Sequence, residues 1–489
     1  MTHVTECLFL KHRLVVEINY LILEVFMESK FCKTYLQGLN LAPRWSPLMS
    51  LLVNTVFILL IFAITWWIFQ DPRGVFRLYT PYVGYMYCRW ILIAILLVSY
   101  VFDYWPFKYE WLDDTHPILK GAILTLLTYL LVVLITDGFF KLFLGQYGIT
   151  YFSPQRMTEL GITEFYAVEY ASTAIMMFAV IASWLAPSWV AACDYAPWQN
   201  MSRFGRGMSV SLLIFLLSLI IYLVTMHSHM AILYYPWQEF TAITPPYWEQ
   251  FANTVSGNFH IAWIMCCTVV VWLYEFTFEK YPFCYIKRAW LRRVSAFLGI
   301  IFMAVCLCFF LYYVQELAWG EAIRGTRRQD APDWRWLHVG EMAIFWLVPS
   351  LYIAFYCNNW PNSIRNQPLR ILVRTAVTII ASIAIYMLYY HYAHDFLGTQ
   401  KGYSHPQQFP MIPMIWLINI FLINYLFMDK WPGWKRVPHK LAVGEQCEAY
   451  QSPASFWKGV IIGGVLGGII YFCVIYIIPV VSKSVNLIP

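Results

Sequence analysis

The sequence predicts an all-α polytopic integral membrane protein, and three observations predict it. Only 12% of the 489 residues are charged, against about 25% in an ordinary soluble chain, and 60% are hydrophobic. Aromatic residues supply 19%, which suits a chain that sets Trp and Tyr rings at lipid–water boundaries. Finally, eleven apolar runs reach or approach the roughly 20 residues that a bilayer requires.

The runs cover 47–69, 84–102, 119–137, 168–190, 207–226, 258–277, 294–314, 338–356, 371–390, 411–428 and 459–480. In lipid only helices or closed barrels satisfy their own backbone, and runs this long and continuous read as helices. Runs two, four, six, eight and ten close on nearly the same phrase: FDYWPF, CDYAPW, FEKYPF, CNNWPN and MDKWPG. The shared pattern is Asp, Glu or Asn, any residue, an aromatic and Pro, with Ala196 replacing the aromatic in the second copy. Its prolines stand at 106, 197, 282, 361 and 432, so the phrase recurs every 71 to 91 residues. Proline disfavours helix at the residue before it, the aromatic belongs at headgroup level, and the polar residue is placed to bond loose backbone groups.

A feature on alternate helix ends puts all five copies on one side of the membrane. That side, with the N-terminal segment, carries 21 Lys and Arg residues against 10 in the opposite loops. Basic loops stay inside, so the phrases and the N-terminus read as cytoplasmic and the C-terminus as outside, in a plasma or inner membrane. The arrangement is that of serial helical hairpins, an internal repeat. Residues 1–46 read as a cytoplasmic or interfacial segment, 47–480 as the bundle and 481–489 as a short outer tail. The stretch LVVEINYLILEVFM is broken by Glu17 and Glu24, and Met1 and Met27 both stand as starts. In the last run Gly459, Gly463 and Gly467 recur every fourth residue, a spacing that permits close packing within the bundle or against a second copy.

Several function classes are excluded. No basic stripe interleaved with aromatics points to nucleic acid. The 12 cysteines form no C-x-x-C pair, and there is no phosphate loop, GxGxxG, haem attachment motif or HExxH.

Ionisable groups within or beside apolar runs are the best pointers to function, because burying them unpaired is costly. Glu169 opens a long apolar run beside Ser172 and Thr173. Glu341 follows His338 by three places, Asp137 closes run three, and Arg89 lies in run two, placed to pair with a carboxylate. Asn419 and Asn424 are placed to bond neighbouring helices or line a path, whereas Arg374 is placed to snorkel to the cytoplasmic end. Pro187 and Pro349 sit inside helices, where freed carbonyls serve many transporters. Histidines gather toward the outer ends: His227 and His229 in MHSHM, His260, His338, and His391 with His394 in HYAHD.

Eleven helices without a soluble domain read first as a secondary transporter, a permease for a small polar or charged solute such as an amino acid or organic ion. Glu169, Glu341, Asp137, Arg89 and Asn419 are its candidates for binding solute or carrying a coupling proton, a task whose pH range histidine shares. No cofactor is expected on this reading. The alternative is an outward-facing, metal-dependent oxidoreductase in which His227, His229, His260, His338, His391 and His394 hold a transition metal. A membrane subunit of a larger complex is the third reading. Lipid and a small solute are the expected partners.

Overall fold

Each phrase ends its helix with one backbone device. In the computed structural model, which describes residues 41–80, 82–227, 229–230, 257–319, 333–399 and 411–437, the first two residues of every pattern adopt left-handed φ between 48° and 60°. These are Asp103–Tyr104, Asp194–Tyr195, Glu279–Lys280, Asn358–Asn359 and Asp429–Lys430, each followed by an X–Pro peptide in the cis form. The amide of the second residue donates to the carbonyl six places back in all five copies, at 2.8 to 3.0 Å. Left-handed residues turn the chain out of the helix, and Asp and Asn tolerate that conformation better than most. Ala196 takes the same geometry as the aromatic residues at its position.

Nine helices among the described residues are long and apolar enough to cross a membrane: α1 (Pro47–Gln70), α2 (Val83–Val101), α3 (Pro117–Tyr147), α4 (Glu164–Ala191), α5 (Arg203–Thr225), α6 (Gly257–Thr277), α7 (Ala289–Gln315), α8 (His338–Tyr356) and α9 (Gln367–Leu397). A shorter apolar helix, α10 (Met411–Phe427), matches run ten. The run at 459–480 with Gly459, Gly463 and Gly467, residues 1–40 and residues 231–256 lie outside the described residues.

The even-numbered helices are mostly buried, and the odd-numbered ones expose most of their apolar surface. Packing explains the split. Helix α2 packs on α4, α4 on α6, α6 on α8, α8 on α10, and α10 returns to α2, which closes a ring of five. The odd helices clad this ring. Helix α3 lies on α2 and the end of α10, α5 on α4 and the end of α2, and α9 on α8 and the end of α6. Helix α1 packs on α10, and its Thr55 hydroxyl reaches Tyr352 of α8 at 2.5 Å. It therefore stands where a cladding helix following α10 would stand. A short antiparallel pairing of Leu41–Pro43 with Trp434–Arg436 ties the two ends together.

Lipid tails are as apolar as leucine, so burial alone does not drive such helices together. Polar contacts at the phrases supply part of the attraction. Asp103 meets Arg206 of α5 at 3.5 Å, and Asp194 meets Arg292 of α7 at 3.2 Å. Glu279 binds Arg370 and Arg374 of α9, the latter at 3.0 Å, and Asp429 meets Lys120 of α3 at 2.5 Å. On the cladding helix α1 a buried polar residue, neutral Asn54, bonds Asn424 of α10 at 3.0 Å.

Two sequence expectations are corrected here. The acidic residue of the phrase engages a base on a neighbouring helix in preference to its own loose backbone, because the left-handed turn carries it away from the helix end. Arg374 does not snorkel to water. It is buried and donates to the carbonyls of Thr277, Asn359 and Trp360, so one guanidinium joins two phrases.

Close approach accompanies the charge pairs. A Cβ placed on Gly207, next to Arg206, would lie 2.3 Å from the Phe102 ring, and one on Gly121, next to Lys120, would lie 2.4 Å from Met428. Gly207→Leu is expected to push α5 off the end of α2 and lower the melting temperature in detergent by several degrees, a ΔΔG of about 1–3 kcal/mol. An unchanged melting curve would show that this contact is loose.

Acid sensitivity follows from Glu279. Burial alone would raise its carboxyl, but the hydrogen bonds and charges of Arg370 and Arg374 outweigh burial and hold it below its usual 4.5. A lowered carboxyl stabilises the fold fully above 4.5, and that stabilisation is lost as pH falls through the folded value. Melting temperatures in detergent are expected to fall below about pH 4.5 and to fall less steeply in Glu279→Gln.

Candidate solute-binding site inside the ring

Inside the ring, α2 contributes one face on which Tyr85, Arg89, Leu96 and Tyr100 recur at helical spacing. Arg89 is buried, and its partners are neutral. Its Nε and Nη2 donate to the Tyr85 hydroxyl at 2.9 and 2.6 Å, and Nη1 donates to Ser183 Oγ of α4 at 3.3 Å. Ser183 in turn lies 3.3 Å from the Thr268 hydroxyl of α6. The Tyr85 hydroxyl also donates to the Met265 sulfur at 3.8 Å. Helices α2 and α6 have α4 between them, so side chains that bridge them lie on the inside of the ring.

The sequence placed Arg89 for pairing with a carboxylate. Among the described residues it makes no ion pair; hydroxyl groups from α2 and α4 satisfy it instead. Tyr85, Ser183 and Thr268 were not singled out from the sequence. Hydroxyl residues in helix interiors commonly bond their own backbone, as Ser183 also does to Val180 at 2.8 Å, so they carry no distinctive signal.

Above this layer, toward the helix ends opposite the phrases, stand the two glutamates. Glu341 is buried, with one carboxylate oxygen 2.6 Å from His338 Nδ1. Tyr79, Tyr85 and Tyr389 lie near enough to Glu341 for its charge to act on their hydroxyls. Glu169 of α4 bonds Thr80, and its Oε2 has no hydrogen-bond partner among the described residues. Tyr79 and Thr80 thus link both glutamates to one stretch of chain ahead of α2.

Asp137 and Asn419 are placed elsewhere. Asp137 does not close its helix: α3 continues to Tyr147 through a wide π-type segment, and Asp137 pairs with Lys141 at 2.7 Å. Asn419 is buried in α10, where its Nδ2 donates to the Cys88 carbonyl of α2 at 3.0 Å. It ties α10 to α2 at the residue before Arg89. Asn424 bonds Asn54, Tyr356 and the Trp431 carbonyl, at the α1 seam.

The histidines do not form one layer of ligands. His227 Nδ1 lies 2.8 Å from the Tyr151 hydroxyl, and burial holds its imidazole below the usual value. His229 and His260 lie with ring centres 6.0 Å apart, and His338 belongs to Glu341. On α9, His391 is exposed, while His394 meets Asp395 at 3.2 Å. Among the described residues no three His, Cys, Asp or Glu side chains converge to hold a metal. The reason is geometric: one helix face unites only residues three or four apart, and these histidines are spread over four helix ends.

No family model, curated protein or solved structure matches the chain. Its function is therefore argued from this site.

Proposed function

We propose that the chain is a membrane carrier for a small solute with an anionic group, which docks on Arg89 inside the ring. The observation that carries this reading is the buried guanidinium of Arg89, satisfied by hydroxyls alone. A cation inside a membrane protein is costly, and it is retained where it has a partner or a task. A fork of N–H donors matches a carboxylate or phosphate, and the hydroxyls of Tyr85 and Ser183 are partners that an incoming anion displaces at little cost.

Glu341 with His338, and Glu169, stand toward the helix ends opposite the phrases, where they carry a coupling proton. The carrier sits in the plasma or inner membrane with its phrases in the cytoplasm. The identical phrase backbones, the closed ring and its cladding helices support an origin in five duplicated hairpins. In that scheme α1 fills the outer position of the last hairpin.

Uptake into proteoliposomes tests the proposal. Labelled carboxylates and their neutral amides are supplied with and without an inward proton gradient. Uptake of a carboxylate but not of its amide is expected, with gradient dependence lost in Glu341→Gln. Equal uptake of both forms, or none of either, contradicts the reading.

A further inference from the structure

A second site lies at the phrase end of the ring interior. A cleft of about 90 Å³ opens there, lined by Leu96 and Tyr100 of α2, Pro187 and Val190 of α4, and Trp272 and Glu275 of α6 among its walls. None of its lining residues belongs to a cladding helix, so it faces the inside of the ring and not the lipid. The walls are apolar or aromatic, and the one carboxylate among the lining residues is Glu275.

The cleft already meets an ammonium group. Lys280 Nζ lies 3.3 Å from Glu275 Oε2 and 4.0 Å from Asp194 Oδ1, and both side chains of the closer pair are about a third exposed. The lysine therefore stands at the water-facing mouth with a second acid, Asp194, to receive it when it leaves Glu275. Asp194 itself is held by Arg292 at 3.2 Å and Arg293 at 3.6 Å. Tyr100, Trp272 and Phe276 line the same cleft, with Trp272 stacked on Phe276 at 5.9 Å between ring centres. A carboxylate in a cleft with aromatic and apolar walls is the chemistry that recognises an ammonium ion carrying an apolar body.

We infer that this cleft binds a small organic amine, whose ammonium takes the place of Lys280 on Glu275 and whose apolar body lies against Trp272 and Pro187. Lys280 acts as a built-in competitor that covers the carboxylate while the site is empty. This inference is independent of the Arg89 reading, since it concerns a different charge at the opposite end of the ring.

The test is equilibrium binding to the full chain in detergent, using phenethylamine with 2-phenylethanol and 3-phenylpropionate as neutral and anionic controls. The amine is expected to bind more tightly than either control by about tenfold, the size of one charge-assisted hydrogen bond. Lys280→Ala should tighten amine binding, because the competitor is gone. Glu275→Gln should reduce it to the level of the alcohol. Equal binding of amine and alcohol to the unaltered protein overturns the inference without reliance on any variant. Weaker amine binding in Lys280→Ala overturns the competitor role, and unchanged binding in Glu275→Gln overturns the assignment of the carboxylate.

Discussion

Arg89→Met is expected to abolish carboxylate uptake while leaving the protein inserted and folded. The loss should be on the order of a hundredfold, the size of one or two charge-assisted hydrogen bonds to the solute. Folding should survive because the residues that lose a partner are Tyr85 and Ser183, and both keep others: Tyr85 reaches Met265, and Ser183 reaches Thr268 and its own helix. Exchanging a buried charge for an apolar side chain of similar length is often neutral or stabilising. Arg89→Lys keeps the charge but loses the planar fork, so partial uptake with weaker solute affinity is expected. Full uptake in Arg89→Met would remove this residue from solute binding, whatever the protein transports.

Arg374→Met should do the opposite, destroying the fold with no specific effect on solute affinity in whatever protein survives. This arginine holds Glu279 and the carbonyls of Thr277, Asn359 and Trp360, which belong to two successive phrases. Its loss leaves these acceptors facing a methionine. Removing one partner of a buried pair costs about 3–5 kcal/mol. Arg370 still bonds Glu279, which moderates the charge penalty but does not restore the carbonyl contacts. The expected result is a large drop in melting temperature and in detergent-extracted yield. Arg374→Met with a wild-type melting curve would show that α9 is held by packing alone.

The contrast between these two arginines was not legible in the sequence, where both lie in apolar runs. What separates them is which neighbour each helix meets, and hydropathy along one chain carries no helix order. The helical membrane class was legible, because alternating greasy runs and closing phrases report on the bilayer directly. The left-handed turns within the phrases were not, since Ala196 and Trp105 reach the same backbone geometry from different side chains. Lys120 and Arg206 read as boundary charges, because Arg206 just precedes its apolar run and Lys120 is the second residue of its own. In the structure they open buried stripes at every fourth residue, with Val210, Ile214, Ser218 and Tyr222 following Arg206. That spacing was present in the sequence and is the signal that finds such residues. Asp137 was misplaced for the converse reason: Gly138 and Lys141 interrupt the hydropathy of α3 without ending the helix. Of the site itself, Glu341 with His338 was legible from a three-residue spacing, whereas the convergence of Arg89, Ser183 and Thr268 depends on the ring.

The central claim is that Arg89, buried beside Ser183 inside a closed ring of five helices, is where an anionic solute docks. The most direct test is thiol labelling of Ser183→Cys in a background with the native cysteines removed, using a small charged methanethiosulfonate reagent on proteoliposomes. The account predicts modification by this reagent, slowed by a transported carboxylate and not by its amide. A cysteine at 183 that resists the charged reagent from both faces, yet reacts with a lipid-soluble maleimide, would contradict it.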